Sequence, residues 1–266
     1  MKILPYHGST SDFFLVKPGE ILKAPMKVWA GASNREALEK ENRRSITIER
    51  QILERLGKHP KIIPYLGDHP SGILLSEAPH GSLQAYIDSN YATMSAPLRW
   101  NLCEQATEAI VHVHSKGVIH SDLRPDNFLV HQVVTPRSAS LWLSDFGGSM
   151  CPDLELDGGH LPDIPFSDPR MEWQSTPATD IFSLGSIFYV IMTGYWPFMN
   201  GPPRWSSAQD KLAYQDQVEV LFRRGEFPAV SGLSGGNVVK GCWDRQYHTA
   251  EEVLQAVRSG MGATDV

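Results

Sequence analysis

His120, Asp122, Arg124 and Asn127 crowd into one short segment, Val118 to Val130, which reads VIHSDLRPDNFLV. A second acidic group, Asp145, follows in Ser144-Asp145-Phe146-Gly147-Gly148. One carboxylate can orient a hydroxyl, while an amide and a second carboxylate can hold Mg²⁺. Transfer of a phosphoryl group from ATP requires such a set. These residues can act together only if a fold brings both segments into one cleft.

In this order and at this separation, the two segments resemble the catalytic loop and magnesium loop of the eukaryotic protein-kinase superfamily. The resemblance implies that Asp122 accepts or orients the proton of a substrate hydroxyl. It places Arg124 near the γ-phosphate, in a position where lysine is usual, and it makes Asn127 and Asp145 the Mg²⁺ ligands. His120 is expected to pack and to bond backbone rather than to act as a base. Upstream, Ile21-Leu22-Lys23 stands where the family carries its strand lysine, so Lys23 is the candidate for the α- and β-phosphates. Glu49 stands where the family's C-helix carries a glutamate, and a Lys23–Glu49 ion pair would aim the ammonium. Ile73-Leu74-Leu75 followed by Ser76-Glu77-Ala78-Pro79 resembles the hinge. There the backbone of Glu77 and Ala78 would bond adenine, and Leu75 would be the gatekeeper. Leu129 and Gly8 are the remaining candidates for nucleotide contact.

The elements that must position these groups have their own signals. Phe13 to Val16 and Glu20 to Lys23 read as strands around the turn Lys17-Pro18-Gly19. Asn42 to Leu56 places Ile46, Ile52, Leu53 and Leu56 at helical spacing. Arg99 to Lys116 does the same with Trp100, Cys103, Ala106, Ile110 and Val113, and Gly117 is a stop signal. His112 and His114 are two apart and so lie on different faces, which suits structural roles better than a metal. Asp180 to Gly185 (DIFSLG) resembles the start of the family's central F-helix, with Asp180 bonding the catalytic-loop backbone; the apolar run from Ile187 to Met192 continues a buried helix. Asp210 to Arg224 reads as a helix, and Thr249-Ala250-Glu251-Glu252 as a capping box opening another.

Several positions depart from the family pattern. Where a glycine-rich loop is expected, Tyr6 to Phe13 keeps only Gly8. Asp12 brings negative charge towards a polyanion, and Phe13 and Ile21 exceed the usual valine and alanine above adenine. Ser121 replaces the arginine that commonly precedes the catalytic aspartate. Between Gly148 and Asp168 the only hydroxyl residues are Ser149 and Ser167, which argues against activation by loop phosphorylation. Asp168-Pro169-Arg170 stands in place of Ala-Pro-Glu, and Tyr247-His248 in place of the late Arg-Pro. The two changes are expected to compensate each other. The substrate-docking stretch Leu161 to Phe166 lacks the usual threonine.

Composition bounds the rest. With 266 residues, 41% hydrophobic and 20% charged, the chain can build one two-lobed globular domain. Three distant cysteines suggest a reducing compartment without a disulfide framework or zinc site. The opening MKILPYHGST lacks a long apolar core, so no secretory signal is expected there; the longest apolar run, Ile187 to Met192, is far short of a membrane span, and a net charge of −6 argues against broad nucleic-acid or anionic-membrane binding. The expectation is an α+β, two-lobed protein-kinase-like fold: a small, mainly β lobe with the C-helix over residues 1–77, and a larger, mainly α lobe over residues 78–266. The resemblance is to a divergent group of small fungal kinase-like proteins, and Pro125 favours the serine/threonine pattern. It implies ATP and Mg²⁺ as cofactors, a protein substrate and a possible regulatory protein partner. An intracellular, cytoplasmic location follows, with nuclear access left open. Two alternatives stand beside an active kinase: a pseudokinase scaffold, and a kinase acting on a small molecule.

Overall fold

The computed structural model describes residues 1–135 and 138–262. Five strands form an antiparallel sheet: β1 (Lys2–His7), β2 (Ser11–Lys17), β3 (Glu20–Pro25), β4 (Tyr65–His69) and β5 (Gly72–Ser76), in the order β1-β2-β3-β5-β4. The two β-branched and leucine-rich strands β3 and β5 lie inside this order. Their register sets Lys23 opposite both Phe13 and Ile73, and Ile21 opposite Leu75. Lys17-Pro18-Gly19 forms the predicted turn, with Gly19 at a positive φ of 84°. Strand β1 has no counterpart in the sequence reading; Pro5 interrupts it, and its position at the sheet edge tolerates a missing donor.

Helix α1 (Arg35–Leu56) packs on the sheet. It buries Asn42, Ser45, Ile46, Ile48, Glu49, Ile52, Leu53 and Leu56, which recur at helical spacing along one stripe. It starts seven residues before the expected Asn42. The added turns (REALEKE) are charged and exposed, held by pairs such as Arg35–Glu39 at 2.7 Å, so they carry no apolar period to read.

Beyond the connector at Glu77 to Ser82, the chain is mainly helical: α2 (Leu83–Asn90), α3 (Ala96–Ser115), α4 (Pro177–Thr193), α5 (Ala208–Arg223), α6 (Gly236–Trp243) and α7 (Ala250–Gly262). A two-stranded ribbon, β6 (Phe128–Thr135) with β7 (Ser138–Leu143), carries the catalytic segments at its ends. A shorter ribbon, β8 (Met150–Cys151) with β9 (Leu156–Asp157), follows Gly148.

Helix α4 is the axis of this lobe and is buried on nearly every face. Its Gly185 admits α6 so closely that a Cβ would sit 2.7 Å from the Cys242 Cβ. Ser186 Oγ donates to the Pro165 carbonyl (2.6 Å) and accepts from the Trp243 indole (3.0 Å), which satisfies the polar groups of this apolar core. Thr179 Oγ1 accepts from Thr176 N (3.2 Å) at the start of α4, and Gly194, at φ 78°, ends it. At α7, Thr249 Oγ1 accepts from Glu252 N as the capping signal predicts, whereas the Glu252 carboxylate accepts from His248 N, one residue before the cap. Among the described residues no helix is long and apolar enough to cross a membrane.

Candidate active site

Three elements converge between the lobes: β3 with α1, the loop before β6, and the loop after β7. Lys23 Nζ lies 2.5 Å from Glu49 Oε2 and 2.6 Å from Asp145 Oδ1. Only 2% of Lys23 and none of Glu49 is exposed, so the ammonium is caged by the two carboxylates. Burial alone would lower the Lys23 pKa, but Asp145 and Glu49 outweigh it and hold the group above its usual range. For Asp145 burial pushes upward, yet Lys23 prevails and keeps the carboxyl below its ordinary value. A third of the Asp145 side chain remains exposed, and Asp145 itself has φ 65°, in the left-handed region. Phe146 is fully buried, its ring centroid 4.9 Å from His120. Gly147 is required at the next position, because a Cβ there would lie 2.1 Å from Ser45 Oγ on α1.

The catalytic loop is fixed from below. Asp180 on α4 accepts from His120 N (2.8 Å) and Ser121 N (3.0 Å), as the sequence reading expected. Its Oδ2 also meets His114 Nε2 at 2.9 Å, while His112 Nε2 bonds the Leu56 carbonyl at 3.0 Å. Both histidines are structural. Ser121 is buried at φ 68°, so the side chain at this position turns into the protein and offers no cation to the activation segment. His120 donates from Nε2 to the Ser144 carbonyl (3.0 Å) and accepts at Nδ1 from Asp122 N (3.3 Å). With both nitrogens engaged, it ties the two loops together and has no free base.

Asn127 Nδ2 donates to the Asp122 carbonyl (2.6 Å) and to Asp122 Oδ2 (3.2 Å), leaving its own amide oxygen for a ligand. Arg124 Nη2 stands 3.7 Å from the same Oδ2. Asp122 Oδ1 is buried and has no hydrogen-bond partner. Burial pushes the Asp122 carboxyl up, against the pull of Arg124 and His160. A buried acceptor costs about 1–3 kcal/mol when unsatisfied, so this oxygen is poised for a donor such as a hydroxyl.

On the nucleotide side, the Ala78 amide has no acceptor among the described residues and is free to meet an adenine nitrogen. Glu77 differs from the expectation in part. Its amide donates to the Gly19 carbonyl (3.0 Å) and its carboxylate accepts from Gly19 N (2.9 Å), so both brace the β2–β3 turn and only its carbonyl is left for adenine. Leu75 is buried behind the hinge, and Leu129 lies half-buried below it, bridged to Ser82. Gly8 N donates to Ser11 O (2.9 Å), which closes the β1–β2 turn tightly. The Phe13 ring lies beneath Gly8 and 5.7 Å from Lys23 Nζ. Ile21 is 5% exposed.

The rewired segment ends are a structural finding that sequence reasoning only half anticipated. Asp168 takes a bidentate pair from Arg170 (2.8 and 2.9 Å) and a third bond from Arg245 (3.0 Å). Arg170 also donates to the Trp243 carbonyl (2.7 Å) and lies over the Phe227 ring. The acid has moved two residues along the chain and the late arginine also sits two before the expected place, so Tyr247 and His248 take no part. Ser149 is buried, donating to the His120 carbonyl at 3.0 Å, and is inaccessible for modification. Helix α1 grips the segment without phosphate: Arg55 pairs with Asp153 at 2.7 Å, and Arg44 bonds the Asp157 carbonyl.

The residues present suit Mg²⁺ held by one carboxylate, one amide and substrate phosphates, which is how this ion is usually bound beside a nucleotide. No cluster of three or more His, Cys, Asp or Glu side chains that could hold a metal occurs among the described residues.

Comparison with known proteins agrees with this geometry. The family model of the protein kinase domain matches residues 25–235. The chain is 29% identical over 237 residues to ribosomal protein S6 kinase alpha-6 of Mus musculus, covering 81% of this chain and 29% of that protein. It is 29% identical over 161 residues to serine/threonine-protein kinase SBK2 of Rattus norvegicus (54% of this chain, 42% of that protein). It is 28% identical over 167 residues to the probable serine/threonine-protein kinase gdt4 of Dictyostelium discoideum (59% and 10%). The chain thus matches less than half the length of each of these relatives.

Proposed function

The chain belongs to the protein kinase family, and on that premise we propose that it transfers the γ-phosphoryl group of ATP to a serine or threonine hydroxyl of a protein substrate. The observation that carries the reading is the convergence of the Lys23–Glu49–Asp145 cage with a buried, unpartnered Asp122 Oδ1. In this reading Lys23 meets the α- and β-phosphates, the Ala78 amide and Glu77 carbonyl meet adenine, and Leu75, Leu129 and Gly8 line the nucleotide. Asn127 and Asp145 hold Mg²⁺, which when bound neutralises charge on the phosphate oxygens. The acceptor hydroxyl donates its proton to Asp122 Oδ1 as its oxygen bonds to the γ-phosphorus and the bond to the ADP oxygen breaks. Arg124 faces the charge that moves in this step. Its fork also restrains Asp122 Oδ2.

The lobes divide at Glu77 and Ala78, giving a small lobe of residues 1–77 and a large lobe of residues 78–266. The motif set LPD, DPR and TDIFSLGS (Leu161, Asp168 and Thr179 onward) supports a place in the divergent fungal group. Substrates are proteins rather than nucleic acids or membranes, and the chain acts inside the cell. A segment held by Arg55 and Asp153, with Ser149 buried, supports activity that is constitutive or controlled by a protein partner.

One observation favours a second reading. The Phe13 ring stands 5.7 Å from Lys23 Nζ, filling space that a nucleotide would need, as in a scaffold that has given up nucleotide. Labelled γ-phosphate transfer from Mg²⁺-ATP to dephosphorylated casein or to the chain itself separates the two. Transfer that disappears in Asp122→Asn supports the kinase, and absence of transfer by the unaltered protein at millimolar ATP supports the scaffold.

A further inference from the structure

The Asp122 carboxylate is held asymmetrically. Asn127 and Arg124 both address Oδ2, at 3.2 and 3.7 Å, whereas Oδ1 has no hydrogen-bond partner. The side chain facing Oδ1 is His160, with Nε2 at 3.8 Å. His160 belongs to the segment after β9 and to none of the motifs that define the site. Its imidazole is half exposed, at 53%, so it lies at the mouth of the cleft rather than in the core.

Its placement is built, not incidental. Two glycines face each other: a Cβ on Gly158 would fall 2.3 Å from the Gly148 carbonyl carbon. A Cβ on Gly148 would fall 2.9 Å from the His160 Cβ. Only with both positions bare can the segment carrying His160 lie against the loop that follows Asp145. Gly158 N then donates to Ser149 O (3.0 Å), and Gly159, at φ 65°, donates to Asp157 Oδ1 (2.8 Å). Arg44 clamps the Asp157 carbonyl, and Ser175 Oγ reaches the His160 carbonyl at 3.5 Å. Backbone on both sides of His160 is therefore fixed, while its side chain points at the one free oxygen of Asp122.

We propose that His160 is a positioning residue of the acceptor site, restraining Asp122 Oδ1 towards the cleft mouth so that an incoming hydroxyl meets it in one orientation. The inference rests on the phosphoryl-transfer reading above. At 3.8 Å the imidazole is beyond hydrogen-bond distance, which leaves Oδ1 open to the hydroxyl while the ring limits where the carboxylate can turn. Arg124 and Asn127 cannot do this, because both hold the opposite oxygen.

The test compares His160→Ala and His160→Gln with the unaltered protein, measuring steady-state transfer of labelled γ-phosphate to dephosphorylated casein, with melting temperatures recorded alongside. His160→Ala is expected to lower kcat roughly tenfold with the KM for ATP unchanged. His160→Gln, which restores a polar side chain of comparable bulk and reach beside Oδ1, is expected to recover most of that loss, because orientation of a reacting group rather than nucleotide binding is affected. An unchanged kcat in His160→Ala overturns the inference. So does an equal fall in both variants accompanied by lowered melting temperatures, which marks a packing role. If the unaltered protein transfers no phosphate while still binding Mg²⁺-ATP, the phosphoryl-transfer reading itself fails and this inference with it.

Discussion

The two walls of the cleft have been maintained in different ways. On the wall proposed to take the acceptor, Asn127 donates to Asp122 and Asp180 holds the backbone of His120 and Ser121, so side-chain identity sets the structure there. On the nucleotide wall, the charged trio Lys23, Glu49 and Asp145 is intact, but the surrounding loop keeps a single glycine and two enlarged side chains, Phe13 and Ile21. Electrostatics explains the contrast. Removing one member of a buried charge cluster strands the others, whereas a phosphate loop works largely through backbone amides that many sequences supply. Of the small residues at that turn, Ser9 is exposed and Thr10 half-buried, while Ser11 is buried at the start of β2.

Lys23→Met gives the largest effect and probes the intact part of the nucleotide wall. It leaves Glu49 and Asp145 without their cation and should cost about 3–5 kcal/mol of folding stability, read by urea denaturation. Asp122→Asn is the contrast on the acceptor wall, because its Oδ1 has no partner to lose; stability should change far less there while transfer collapses. Next comes Asp168→Ala, which removes a buried carboxylate serving Arg170 and Arg245 and should cost about 2–3 kcal/mol. It should also leave Mg²⁺-ATP binding in place, since the network lies behind the segment rather than in the cleft. Phe13→Val sharpens the comparison from the eroded side. Opening the space over Lys23 should tighten nucleotide binding roughly tenfold, equivalent to about 1.4 kcal/mol, measured by calorimetry. Weakened or unchanged binding would mean that the ring supports the nucleotide rather than crowding it. The smallest effect belongs to Arg55→Ala, whose exposed pair with Asp153 should change stability by less than about 1 kcal/mol.

What could be read from the sequence follows the same division. The Lys23–Glu49 pair and the Asp180 bonds to the loop backbone were legible because the motifs place particular residue types at set spacings. The apolar stripes of α1, α3 and α4 were legible because burial imposes a period. The start of α1 was not, since its first turns are charged and stabilised only by neighbouring ion pairs. Strand β1 was hidden by Pro5 and by its edge position. The Asp168–Arg245 bond was out of reach because its partners lie far apart in sequence and both had shifted from their customary positions. Glu77 illustrates a subtler limit: its place in the hinge was readable, but which of its backbone groups remained unbonded depended on the fold of the β2–β3 turn. For His160 the one available signal was the pair of doubled glycines, Gly147-Gly148 and Gly158-Gly159, whose meaning appears only when the two segments touch.

The most direct measurement is the melting temperature with ATP in the presence of Mg²⁺ or of EDTA, for the unaltered protein and for Asp145→Asn. Ligand at about 100 times its dissociation constant adds roughly 2.7 kcal/mol, a rise of a few degrees for a domain of this size. A rise that requires Mg²⁺ and is lost in Asp145→Asn is the result this account predicts. No rise at millimolar Mg²⁺-ATP would contradict it and leave Phe13 and the Lys23 cage as the closed floor of a scaffold.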